Sequence, residues 1–132
     1  MNELNVPHIM SLDLDWVEPI NERRGGWSGV SVFEWGTARY YLKRQKNHTY
    51  RDWRAGFRRV PTLRREVRNM HRLARIGIRS PEIIAYGEHG GDSILMTLAL
   101  DDYYDLDTFL AESPDTDIRQ QVFEALGGII LR

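Results

Sequence analysis

Two pairs of apolar runs along the chain predict two antiparallel hairpins. Val30–Trp35 and Ala38–Arg44 flank a Gly-Thr pair, and Glu82–Tyr86 and Ser93–Leu100 flank a glycine-rich turn. Short connections that contain glycine are typical of strands that fold back on each other. We therefore expect four strands in two hairpins.

Helical periodicity appears between and after these hairpins. A helix is predicted to begin at Pro61-Thr62 and to end before Gly77, because glycine suits the left-handed position that follows many helices. Two further helices are predicted over residues 107–112 and 115–131. The apolar stripe of the first helix consists of Leu63, Val67, Met70 and Ala74.

The remaining segments have weaker patterns. Residues 48–59 are basic around Trp53 and Phe57, which predicts a loop with irregular helix, and residues 1–22 are predicted to be a lead-in segment. The order strand, strand, helix, strand, strand, helix, helix predicts an α+β fold. Because an apolar helical face continues into the final GGIILR, we expect the chain to be a fragment of a longer protein.

Composition narrows the class of protein. The 132 residues suffice for one domain with one core, and the absence of cysteine excludes disulfides and thiolate metal sites. The four histidines are too scattered to predict a metal site. The N-terminal residues include acids where a secretory signal carries lysine or arginine, and no run approaches the roughly 20 apolar residues of a membrane span. We expect a cytoplasmic protein, with peripheral attachment to the inner face of the cytoplasmic membrane left open.

Charge is distributed unevenly along the chain. Residues 39–79 contain 14 basic residues and two acids, whereas residues 80–132 contain 11 acids and two arginines. One interpretation is a basic face for an anionic partner. The other is a solvated basic helix beside an acidic neighbour.

Lysine occurs at only two positions, although the chain has 18 basic residues. Lys43 and Lys46 both follow the predicted turn formed by Gly25, Gly26 and Gly29, and the next helix carries a single acid, Glu66. A glycine turn lets backbone N–H groups approach phosphate oxygens, and lysine supplies a compact point charge. This order of residues favours binding of nucleotide phosphates, with Lys43 as the candidate and Lys46 as the alternative.

Two stretches resemble a known family. RGGWSGVSVFEWGTARYYLKRQ and LRREVRNMHRLARIGIRSPEIIAYGEHGGDSILMT are similar to the bacterial lipopolysaccharide core kinases, the Kdo and heptose kinase family that includes InaA-like proteins. The resemblance covers about residues 24–131 and implies a protein-kinase-like fold. It divides the chain into a lead-in (1–22), an N-lobe (23–100), and a hinge with the start of a truncated C-lobe (101–132).

The resemblance also implies roles for individual residues. Gly26 and Gly29 would belong to the loop that covers the phosphates, although Arg24 stands where the first glycine of that loop is expected. Lys43 would contact the α- and β-phosphates of ATP, and Glu66 would pair with Lys43. At the hinge, Met96 and Thr97 would line the back of the adenine pocket, and backbone groups from Leu98 to Leu100 would meet the adenine edge.

The resemblance leaves the catalytic machinery outside the chain. The catalytic base and the Mg²⁺ ligands of such a kinase are expected beyond Arg132, so this chain alone is not expected to transfer phosphate. The implied cofactors are ATP and Mg²⁺, and the implied acceptor is an anionic saccharide or lipopolysaccharide core. Two alternatives stay open: a pseudokinase-like binding module, and a nucleic-acid-binding protein that uses the arginine-rich segment 51–79.

Overall fold

The computed structural model describes residues 4–113 and 115–131, and within them the chain forms seven strands, four α-helices and a 3₁₀ turn at Trp53–Ala55. The strands are β1 (Asn21–Arg23), β2 (Gly26–Trp35), β3 (Ala38–Lys46), β4 (Thr49–Asp52), β5 (Arg58–Pro61), β6 (Ile83–His89) and β7 (Asp92–Leu98). The helices are α1 (Val6–Met10), α2 (Thr62–Arg75), α3 (Leu106–Glu112) and α4 (Thr116–Ile130).

Five strands form one antiparallel sheet in the order β1-β2-β3-β7-β6. The two predicted hairpins are present as β2–β3 and β6–β7, and they join through the pairing of β3 with β7. In the shared register Val30 pairs with Lys43, and Lys43 pairs with Leu95. The predicted α+β class is confirmed, with β3 at the centre of the sheet.

One face of this sheet packs against the N-terminal segment. Val6 of α1, Leu42 of β3 and Ile94 of β7 are buried together in one cluster. Burial of an aliphatic side chain contributes about 1.5–3 kcal/mol, so the cluster fixes α1 against the sheet. The segment that was predicted to be a lead-in therefore supplies part of the core, and its boundary at residue 22 stays a prediction.

The opposite face packs against α2. Leu63 and Val67 of α2 are buried against Leu95 of β7, as the predicted apolar stripe requires. Arg72 and Arg75 lie in the last turn, where positive charge is favourable beside the helix dipole. Gly77 follows with φ +76°, so the predicted end of the helix is confirmed.

The segment 48–59 differs from the prediction. Instead of a loop with irregular helix it forms the β4–β5 hairpin, a separate two-stranded sheet. Its buried Asp52 accepts hydrogen bonds from Arg54 N (3.0 Å), the Tyr50 hydroxyl (3.0 Å) and Arg68 Nη1 (3.2 Å). The bond from Arg68 comes from α2, so a tertiary contact stabilises a hairpin that local periodicity did not reveal.

The two predicted C-terminal helices are present as α3 and α4. Asp105 and Asp115 cap their N-termini through their side chains. Arg119 joins the two helices by donating to the backbone oxygens of Ser113 (2.9 Å) and Leu110 (2.6 Å). No described helix is long and apolar enough to cross a lipid bilayer.

Candidate functional site

The centre of the candidate site is an ion pair between β3 and α2. Lys43 Nζ donates to Glu66 Oε2 at 2.7 Å, and the two side chains are 31% and 43% exposed. The pairing that the resemblance implied is therefore present. A partly exposed pair contributes little to stability, so its main effect is to fix the position of the Lys43 ammonium group.

The geometry distinguishes the two lysines. Side chains alternate along a strand, so Lys43 and Lys46, three residues apart, point to opposite faces of the sheet. Lys43 faces α2 beside Glu66, whereas Lys46 is exposed at the end of β3. The structure thus brings Lys43, and not Lys46, together with the acid of α2.

The glycine turn is displaced from the predicted position. The turn residues with positive φ are Arg24 (51°) and Gly25 (75°), whereas Gly26 and Gly29 lie within strand β2. At Gly26 an added Cβ would lie 2.5 Å from the backbone oxygen of Lys46, so glycine permits a close approach of two strands. Of the three glycines predicted to form the turn, Gly25 lies in it, whereas the prediction is wrong for Gly26 and Gly29.

Gly29 has a separate structural neighbour. It pairs with Arg44, so a side chain at this position would point to the face of the sheet opposite Lys43. An added Cβ there would lie 2.5 Å from Cζ3 of the Trp16 ring. Gly29 therefore provides the surface on which Trp16 packs, and a contact of this residue with phosphate stays a prediction.

The hinge residues divide between the two faces of β7. Met96 pairs with Leu42 and packs on the α1 side, so the structure does not bring it together with Lys43. Thr97 lies two residues after Leu95, the partner of Lys43, and so shares the Lys43 face. Of the two residues predicted to line the adenine pocket, only Thr97 lies on the appropriate face.

Backbone groups after β7 differ in their availability. The N–H groups of Leu98 and Ala99 donate to the backbone oxygens of Glu82 and Arg39, both at 2.9 Å. Leu100 is exposed, and within the described residues its N–H makes no backbone hydrogen bond. The Leu100 N–H is therefore the donor in this segment that a ligand edge could use.

Two ion pairs position α2. Arg64 donates to both carboxylate oxygens of Glu88 on β6, and Arg68 donates to Asp52 on β4. The Arg64 hydrogen bond, assisted by one from the Tyr86 hydroxyl, lowers the pKa of Glu88 despite its partial burial. Because Glu66 lies between these two arginines in sequence, the same contacts fix the orientation of the acid that pairs with Lys43.

Positions missed by the sequence analysis share the Lys43 face. Val30 of β2 lies directly opposite Lys43, and Ser28 lies two residues before it on the same face. Counting alternate residues from Lys43 across a predicted hairpin would have found them. Within the described part of the chain, no group of three histidine or acidic side chains could hold a metal ion.

Comparisons with known proteins test the family resemblance. The model of the lipopolysaccharide kinase (Kdo/WaaP) family matches residues 8–132. Protein InaA of Escherichia coli (strain K12) is 40% identical over 81 residues, which are 61% of this chain and 37% of that protein. A comparison with solved structures gave no match. The chain belongs to the lipopolysaccharide kinase (Kdo/WaaP) family.

Proposed function

We propose that this chain is the ATP-binding part of a kinase that phosphorylates a sugar of lipopolysaccharide core or a related saccharide. The family supplies the class of reaction. The observation that carries the proposal is the 2.7 Å pair of Lys43 with Glu66 on the sheet face beside α2. The matched segment covers 37% of the InaA relative, so the activity of the whole protein belongs to the proposal.

The residues present suit the nucleotide in three respects. Lys43 supplies a fixed cation for phosphate oxygens, and within the described residues the N–H groups of Arg24 and Gly25 in the turn make no backbone hydrogen bond. Leu100 N–H supplies a donor for the edge of a base. When bound, ATP would supply the phosphoryl group and Mg²⁺ would neutralise its charge. The acidic Mg²⁺ ligands and the base are expected beyond Arg132.

The two lysines provide a matched experiment. We expect Lys43→Ala to weaken binding of Mg-ATP at least about ten-fold, because it removes a charge-assisted contact. Lys46→Ala removes the same charge from the other face and should leave the affinity nearly unchanged. Calorimetric titration of both variants, with circular dichroism to verify folding, measures the difference. Equal ATP affinity in the wild type and in folded Lys43→Ala would refute the proposal.

We also propose that the protein contacts the inner face of the cytoplasmic membrane through the tip of the β4–β5 hairpin. Trp53 and Phe57 at this tip are 67% and 68% exposed, and Phe57 adopts φ +61°, a strained conformation for a bulky residue. Asp52 is buried and paired with Arg68, so the exposed charges of the hairpin are those of arginines. Exposed aromatic rings beside basic groups suit an anionic bilayer surface.

Vesicle sedimentation tests this contact. The double variant Trp53→Ser, Phe57→Ser should lose most binding to phosphatidylglycerol vesicles, whereas Trp35→Ser should not. Trp35 is the control because it is 75% exposed at the last residue of β2, outside the β4–β5 hairpin. Equal vesicle binding by the double variant and the wild type would contradict the proposal. Binding to single-stranded DNA that depends on Trp53 and Phe57, without vesicle binding, would favour the nucleic-acid alternative.

A further inference from the structure

A cleft of about 260 Å³ lies between the turn at Arg24 and Gly25, the start of β4 and the start of α2. We call it the arginine cleft because four arginines line it. Neither Lys43 nor Glu66 lines this cleft, and no acidic side chain does. The four residues are Arg23, Arg24, Arg59 and Arg65.

These arginines lack the carboxylate partners that neighbouring arginines have. Within the described part of the chain, no carboxylate oxygen lies within 4.0 Å of any of the four guanidinium groups. By contrast, Arg64 and Arg68 of the same helix are paired with Glu88 and Asp52. Four positive charges that lack acidic partners raise the electrostatic potential of the cleft, which attracts an anion.

Contacts with β4 position two of the four guanidinium groups, those of Arg59 and Arg65. Arg59 Nε donates to Thr49 Oγ1 at 3.2 Å, and the Arg65 guanidinium lies 4.8 Å from the centre of the Tyr50 ring. Arg24 adopts φ +51°, an uncommon conformation for a residue other than glycine. Side chains that are already positioned lose less entropy when they bind a ligand.

The arginine cleft is close to the proposed nucleotide site. Thr62 lines the cleft and lies four residues before Glu66, which is about 6 Å along a helix axis. Thr62 Oγ1 also donates at 2.6 Å to Gln45 Oε1, and Gln45 lies two residues after Lys43 on the same face of β3. The cleft is therefore adjacent to the end of the site where Lys43 would hold phosphates.

We propose that the arginine cleft binds a phosphomonoester group carried by the acceptor, next to the phosphate to be transferred. Guanidinium groups bind phosphate oxygens through two parallel hydrogen bonds, which makes arginine suitable for this group. The anion site follows from the cleft alone, whereas its role for the acceptor rests on the proposed kinase function. The phosphate can be carried by a soluble sugar or by a lipid.

Calorimetric titration with glucose 1-phosphate tests the site. The double variant Arg59→Ala, Arg65→Ala should raise the dissociation constant about ten-fold or more, because two charged contacts are lost. The control double variant Arg72→Ala, Arg75→Ala removes the same charge from exposed positions of α2 outside the cleft. It should change the dissociation constant by less than about two-fold. An equal loss in both double variants would show non-specific attraction and overturn the proposal.

Phosphatidylcholine vesicles that contain phosphatidic acid provide the lipid arm. If the protein binds glucose 1-phosphate and the double variant Arg59→Ala, Arg65→Ala abolishes that binding, the cleft is assigned to soluble phosphomonoesters. Vesicle binding alone, lost in the same variant, assigns it to a lipid-borne phosphate. If the double variant weakens binding in neither arm, the proposal is wrong.

Lys43→Ala separates this inference from the proposed function. If glucose 1-phosphate binding is lost in Lys43→Ala but not in Arg59→Ala, Arg65→Ala, the ligand occupies the nucleotide site, so the cleft proposal fails while the kinase proposal stands. If Lys43→Ala leaves ATP affinity unchanged, the kinase proposal fails together with the acceptor role. The anion site is then still decided by the two double variants.

Discussion

Replacement of Gly29 by alanine distinguishes a packing role of this glycine from a role in phosphate binding. Gly29 lies in β2 with an extended backbone, so alanine itself fits the strand. The added methyl group, however, would lie 2.5 Å from Cζ3 and 2.7 Å from Cε3 of Trp16. We therefore expect Gly29→Ala to destabilise the fold through the Trp16 ring, independently of any ligand.

The magnitude follows from how firmly the ring is held. Carbon atoms in contact normally lie about 3.5–4.0 Å apart, so the Trp16 ring must withdraw by roughly 1 Å. The Arg44 guanidinium lies 4.4 Å from the ring centre, and the Trp27 ring packs edge-on at 5.4 Å. Overpacking of this kind costs about 1–3 kcal/mol. For a chain of this size, each kcal/mol lowers the melting temperature by about 4 °C.

Thermal unfolding in a double-mutant cycle with Trp16→Leu is the assay. Leucine removes the aromatic ring, so Gly29→Ala should then cost less than about 0.5 kcal/mol, as expected for a substitution that disturbs no packing. An equal loss of stability from Gly29→Ala in both backgrounds would refute the packing account. A loss of ATP affinity from Gly29→Ala in both backgrounds, at unchanged stability, would instead support a phosphate contact at Gly29.

Two further predictions concern stability. Because the pKa of Glu88 is lowered in the folded protein, its ionised carboxylate stabilises the fold above the unfolded pKa of about 4.3, and this stabilisation is lost as pH falls through the folded pKa. Between pH 7 and pH 3 the urea midpoint should therefore fall more in the wild type than in Glu88→Gln. Equal falls would contradict this account. Gly77 has φ +76°, so Gly77→Ala should lower the free energy of unfolding by about 1 kcal/mol, whereas Gly128→Ala inside α4 should raise it slightly. Thermal unfolding compares the two variants. Stabilisation by both would show that the left-handed conformation at Gly77 is not needed.

Elements with strong local patterns could be predicted from the sequence. The β2–β3 hairpin, α2 and its end at Gly77 were found because alternation, helical spacing and glycine each depend on nearby residues. The Lys43–Glu66 pair was predicted from residue type and order, which the resemblance to a family reinforced. The hairpin, the helix and its end need no knowledge of distant contacts, whereas the Lys43–Glu66 pair joins residues 23 apart and was predicted through residue type and family resemblance.

Features that depend on tertiary contacts were not predicted. The β4–β5 hairpin depends on Asp52 and Arg68, which lie 16 residues apart, so no local period marks it. Gly29 resembles a turn glycine in the sequence because its neighbour, the Trp16 ring, comes from the segment predicted to be a lead-in. Met96 and Thr97 are neighbours in β7 and therefore lie on opposite faces of the strand, so they do not line one pocket together.

The arrangement around α2 explains why one acid in a basic helix pairs with the lysine of β3. At about 100° per residue, Leu63 and Val67 face the sheet while Arg64 and Arg68 lie at one edge of this apolar stripe and Glu66 at the other. The contacts of the two arginines with Glu88 and Asp52 oppose rotation of the helix about its axis. Glu66 is therefore held towards Lys43 by residues on two different sheets, and the lysine charge stays fixed while its exposed side remains free for a ligand.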